Sequence, residues 1–105
     1  MIDAGWMALS RDRGTAMQDV DQGYGLVCDA VGHVLRDLIV SVANQEHGII
    51  SVRSGAERPM PALAVGERLR ILPNHACATA AQHDRYQVLA RGSGPMQTWH
   101  RFGGW

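Results

Sequence analysis

Apolar residues fall in short runs that glycine, proline and polar clusters interrupt, the pattern of strands joined by frequent turns. Residues 2–10 are mainly apolar and broken by Gly5, which predicts a first strand with a bulge. Residues 11–22 are polar and read as a loop. A second strand, 24–31, is closed by Gly32. Residues 38–43, rich in β-branched side chains (Ile39, Val40, Val42), and residues 49–52 predict two antiparallel strands joined by the polar run Asn44-Gln45-Glu46-His47-Gly48. Gly55, Pro59 and Pro61 mark 54–61 as a loop. In 65–73, Leu69 and Ile71 alternate with Arg68 and Arg70, so one face is apolar and the other solvated. Pro73 removes a backbone donor and ends that ladder. Residues 86–91 and 96–101 predict the last strands, with Gly92-Ser93-Gly94-Pro95 as their turn. The one predicted helical segment is a single alanine-rich turn near residues 77–82, too short to stand alone. The fold class is therefore all-β, a small antiparallel β-barrel or sandwich, in one domain over residues 1–105. A strand so close to Met1 suggests a domain cut from a longer chain.

Composition narrows what such a domain can do. At 105 residues it is one domain with a small core. The formal charge is zero, with ten basic and ten acidic residues, which argues against nucleic-acid binding and against a polybasic membrane patch. No apolar run reaches membrane-spanning length and no secretory leader is visible, so a cytoplasmic location is expected. Cys28 and Cys77 form no disulfide framework. All ten basic residues are arginine; without lysine, the chain cannot itself form a Schiff base with a carbonyl or with pyridoxal phosphate.

The sharpest chemical constellation is Pro73-Asn74-His75-Ala76-Cys77. On an extended backbone His75 and Cys77 project to the same side, and an imidazole nitrogen with a thiolate suits zinc. Two protein ligands leave positions for water or substrate, the condition for Lewis-acid chemistry. The simpler reading makes Cys77 a small buried hydrophobe and His75 a loop residue. In Gln45-Glu46-His47-Gly48, the carboxylate and imidazole could support a metal ligand or move a proton, or could simply form a solvated hairpin. Asp3 and Asp12 read as cap or turn residues. Tyr24, between Gly23 and Gly25, could lie beside a close backbone approach. His33, His83 and His100 read as surface residues, and Trp6, Trp99 and Trp105 as apolar area for a core or interface.

Taken in order, Ile2-Asp3-Ala4-Gly5, Gly23-Tyr24-Gly25, Gln45-Glu46-His47-Gly48, Val65-Gly66-Glu67 and Pro73-Asn74-His75-Ala76-Cys77 resemble the C-terminal β-domain of the D-serine dehydratase and D-threonine aldolase family. These are alanine-racemase-like, fold-type III pyridoxal-phosphate enzymes. The resemblance implies an N-terminal TIM-type barrel, absent from this chain, that carries the cofactor on a lysine, and a homodimeric enzyme. It implies that His75 and Cys77 are the metal ligands, and that Glu46, His47 and Asn74 are supporting or substrate-side residues. The aldolases tend to have aspartate where this chain has Cys77, so the cysteine favours a zinc-dependent dehydratase that eliminates water from a D-3-hydroxy amino acid. The family commonly shows Glu-Glu-His-Gly, and Gln45 departs from it. The chain alone is expected to be inactive. The alternatives are aldolase-type cleavage by the parent enzyme, or a stand-alone β-module that oligomerises or binds a partner without catalysis.

Overall fold

The structure is a computed structural model, and it describes residues 1–90 and 94–103. Among the described residues, six strands and two short helices follow one another as α1 (Trp6–Leu9), β1 (Gly25–Cys28), β2 (Val34–Ala43), β3 (Gly48–Val52), β4 (Arg70–Pro73), α2 (Ala76–Ala81), β5 (Arg85–Val88) and β6 (Gln97–His100). The first four strands form an antiparallel sheet in the order β3-β2-β1-β4, and β5 pairs with β6 as a separate antiparallel ribbon.

Register in the sheet follows the apolar alternation. Leu38 faces Val52, Val40 faces Ile50 and Val27 faces Ile71. Val27, Leu38, Val40 and Ile50 are buried and pack with Leu9 of α1, with Ile2, Ala4, Tyr24 and Leu35 at the margin. Full burial of such side chains is worth ~1.5–3 kcal/mol each. Cys28 is buried in the same sheet and Cys77 is exposed; both are free thiols.

The all-β class holds, with three corrections. Among the described residues the strands do not close into a barrel; the sheet and the ribbon are separate. The strand expected over 2–10 is reduced to one bridge, Ile2 to Gly48, followed by α1. The amides of Trp6 and Met7 donate to Asn44 O and Gln45 O at 2.8 and 3.1 Å, so this segment docks on the β2–β3 turn instead of continuing as an edge strand. Gly5 allows the approach, because a methyl there would meet Gln45 O and His47 N at 2.6 Å. The strand expected from residue 65 starts only at Arg70. Gly66, at φ 88°, forms a turn in which Glu67 N donates to Ala64 O at 3.1 Å.

The second strand stops at Cys28, where Asp29 Oδ1 accepts the amides of Val31, Gly32 and His33 at 2.8–3.0 Å and turns the chain. The remaining strands match to within a few residues, although β2 begins at Val34 rather than at 38. Arg91 at the end of the expected strand 86–91, Gly92 and Ser93 of the turn after it, and Trp105 lie outside the described residues. No helix among the described residues is long and apolar enough to cross a membrane.

Candidate metal centre

The candidate residues sit where the chain leaves the sheet. After Pro73 ends β4, Asn74 N donates to Tyr24 O at 3.1 Å. Its side-chain amide donates to Gly23 O at 2.6 Å and to Thr15 Oγ1 at 2.7 Å. Asn74 therefore ties the exit of β4 both to the entry of β1 and to the 10–22 loop. Both hydrogens of its side-chain amide are used by these contacts.

His75 keeps an extended backbone, φ −119° and ψ 94°, and Ala76 opens α2. This corrects the expectation of an extended run through Cys77. Alanines at 76, 78, 80 and 81 favour helix, and Thr79 N closes the first turn on His75 O at 3.1 Å. Cys77 is thus the second helical residue, placed by helix geometry rather than by strand alternation. It is exposed, which removes the reading of a buried hydrophobe.

His75 has a partner that the sequence did not indicate. Its Nδ1 lies 2.9 Å from Asp12 Oδ2. Asp12 comes from the polar loop, where its amide donates to Ser10 Oγ at 3.2 Å. The loop is closed by Asn74 on Thr15 and by the Arg13–Asp21 ion pair, and the Arg13 guanidinium lies over the Tyr24 ring at 5.7 Å. Asp21 also accepts the Gly23 amide at 2.9 Å. That bond, with the Arg13 charge and hydrogen bonds from Arg13 and Thr15, holds the Asp21 carboxyl below the ordinary aspartate range against the opposing effect of burial. No local pattern marks Asp12; only closure of this loop brings it to His75.

The other candidates lie on the β2–β3 turn. Glu46 and His47 are exposed, and His47 Nε2 is 3.2 Å from Asn44 Nδ2. α1 stands between this turn and α2. It receives the turn's carbonyls at its N-terminus, and side chains from α2 and just beyond it reach its own carbonyls, of which Trp6 O also accepts the Ser10 amide at 2.9 Å. Gln82 Nε2 donates to Trp6 O at 3.1 Å, and His83 Nε2 lies 3.1 Å from Ala8 O. The Thr79 hydroxyl reaches both Leu9 O and His75 O, and its single hydrogen serves one at a time. Reading 2–10 as a strand hid this link between the two motifs.

Among the described residues no three His, Cys, Asp or Glu side chains form a group that could hold a metal ion. The expected pair offers an imidazole and a thiol, with His75 half-exposed and Cys77 exposed; donors of these two types suit a borderline or soft ion. An apolar groove of about 770 Å³ lies elsewhere, lined by Ile2, Ile50, Met60, Leu63, Leu69 and Ile71.

The family profile described as "Putative serine dehydratase domain" matches residues 1–89, and the chain belongs to that family. Over 107 residues it is 55% identical to D-threo-3-hydroxyaspartate dehydratase of Delftia sp. (strain HT23), covering all of this chain and 28% of that one. The solved structure of that enzyme superposes with a TM-score of 0.81 over 98% of this chain and 27% of its own, at 53% identity.

Two variants of a D-threo-3-hydroxyaspartate dehydratase, one with a histidine and one with a cysteine replaced by alanine, give TM-scores of 0.82 and 0.79; the cysteine variant was solved in the metal-free form. D-serine dehydratase of Dictyostelium discoideum is 30% identical over 85% of this chain and 22% of its own. An alanine-racemase-like protein of Idiomarina loihiensis is 46% identical, with a TM-score of 0.77 over 98% of this chain and 27% of its own. The chain thus spans about a quarter of the length of the proteins it matches.

Proposed function

We propose that this chain is the metal-bearing domain of a pyridoxal-phosphate- and metal-dependent lyase that eliminates water from a D-3-hydroxy amino acid, with His75 and Cys77 as the protein's metal ligands. The observation that carries the reading is the placement of His75 and Cys77 on either side of the first residue of α2, His75 half-exposed and Cys77 exposed, with Asp12 Oδ2 2.9 Å from Nδ1 of His75. The two dehydratase variants support it: the cysteine replaced lies two positions beyond the histidine replaced, the spacing of Cys77 and His75. Both named substrates among the relatives, D-serine and D-threo-3-hydroxyaspartate, carry a hydroxyl on the β-carbon.

Bound there, a zinc ion would polarise that hydroxyl and ease its departure, while pyridoxal phosphate, carried by a separate barrel on a lysine, would serve as the electron sink. This chain's own part is to bind and orient. His75 Nε2 and Cys77 Sγ supply two donors and leave the remaining positions to water or substrate. Asn74 fixes the junction from which both project. The barrel would cover the apolar side chains the β5–β6 ribbon leaves outside, the cross-strand pair Tyr86 and Trp99 among them. Glu46 and His47 stand on the turn that α1 connects to α2, where they could face substrate.

Titration of the chain with cobalt(II), which reports thiolate ligation by its charge-transfer absorption, tests the ligand pair. One equivalent should give that band, zinc should displace it, and His75→Ala and Cys77→Ala should each remove it. A band that survives either substitution refutes the assignment.

A further inference from the structure

We propose that Asp12 is a positioning residue of the metal centre: it holds His75 protonated at Nδ1, so that Nε2 is the nitrogen free to ligate. The proposal rests on the assignment of His75 as a ligand. Asp12 Oδ2 lies 2.9 Å from His75 Nδ1. An ionised carboxylate can only accept hydrogen bonds, so its charge beside Nδ1 favours a hydrogen on that nitrogen over a lone pair. In the neutral ring the lone pair then belongs to Nε2. A histidine ligand whose other nitrogen donates to a carboxylate is fixed in tautomer and ring orientation, and its ligating nitrogen becomes more basic.

Asp12 reaches that position on a loop whose closure is set by several independent contacts. Asn74, the residue before His75, grips Thr15 of the same loop, and the Ser10 hydroxyl accepts the Asp12 amide. The loop and the ligand segment are therefore held by adjacent residues, Asn74 through Thr15 and His75 through Asp12. Glu46, the acidic residue of the second sequence motif, makes no such contact among those described. Asp12 is the carboxylate the structure assigns to this task. At 56% side-chain exposure it buries little, so its replacement should leave the fold intact.

The test uses the whole chain labelled with ¹⁵N-histidine. Without metal, His75 in the unsubstituted chain should show the Nδ1–H tautomer in its ring nitrogen shifts. Asp12→Ala should return it toward the Nε2–H form, and Asp12→Asn, which keeps a carbonyl acceptor, should restore the native pattern. In competition with a chromophoric chelator, zinc affinity should fall 10- to 100-fold in Asp12→Ala and recover most of that loss in Asp12→Asn.

An Nε2–H ring in the unsubstituted chain, or equal zinc affinity in Asp12→Ala and the unsubstituted chain, overturns the proposal. Absence of zinc binding in every form, Cys77→Ala included, overturns the metal assignment itself. The nitrogen shifts would then still decide whether Asp12 governs the ring.

Discussion

The molecule has two halves of different construction. From β1 to β3 the sheet buries Val27, Leu38, Val40 and Ile50, with Leu9 of α1 closing over them. From Asn74 onward no described residue is buried. The candidate ligands belong to the second half, which is held to the first by polar contacts: Asn74 on Gly23 and Thr15, His75 on Asp12, and Thr79, Gln82 and His83 on the carbonyls of α1. Arg101 ties the ribbon to α2 by donating to Ala80 O and, at 3.1 Å, to His83 O. A buried aliphatic side chain is worth ~1.5–3 kcal/mol and a hydrogen bond a net ~0.5–1.5 kcal/mol. Such a division lets the ligand segment open without unfolding the sheet.

The largest expected effect lies in the sheet. Leu38 is 2% exposed at the centre of the longest strand, so Leu38→Ala should cost about 2–5 kcal/mol of stability in urea denaturation. A loss below 1 kcal/mol would mean the sheet is not where the stability resides. Gly5→Ala tests the joint between the halves. Its methyl would press on backbone atoms of the β2–β3 turn, which cannot swing aside as a side chain could. A cost of about 1–3 kcal/mol is expected. Amide exchange should become faster in α1 and α2 while β2 stays protected; uniform acceleration would show that the halves open as one unit.

Within the second half the effects should be smaller. Thr79→Val removes the hydroxyl shared between Leu9 O and His75 O at nearly constant volume, for an expected loss of about 1 kcal/mol. If the hydroxyl matters chiefly to the ligand segment, the cobalt band should weaken more than the urea midpoint moves. The reverse ranking would place Thr79 with the sheet.

The same division explains what could be read in the sequence. Alternation and β-branching locate strands wherever one face is buried, which is why β2, β3 and the apolar positions of β4 were legible. Residues 2–10 are equally apolar, but their amides find carbonyls on a distant turn, and composition carries no trace of that. His75 and Cys77 stood out by type and spacing, yet the helix that carries Cys77 contradicts the extended backbone first used to bring them together. Asp12 was invisible as a partner because nothing within its own loop distinguishes it from a turn residue. Buried patterns are written locally; contacts made by loop closure are not.

The smallest effect concerns the loop that carries Asp12. The folded state holds the Asp21 carboxyl below its ordinary value of 3.8, first through the Gly23 amide and then through Arg13 and Thr15. A depressed carboxyl contributes stability that is fully present above the unfolded value and is lost as pH falls through the folded one. Between about pH 5 and pH 2 the unsubstituted chain should therefore lose thermal stability more steeply than Asp21→Asn, whose amide does not titrate. Asp29 and Asp84 are lowered as well and remain in the variant, so the acid limb should flatten only in part. The Asp21 side chain is 34% exposed, so solvent screening keeps the difference small, and added salt should shrink the share owed to Arg13. Identical acid limbs for the two chains would mean that the loop, and with it the approach of Asp12 to His75, is held by Asn74 and Thr15 alone.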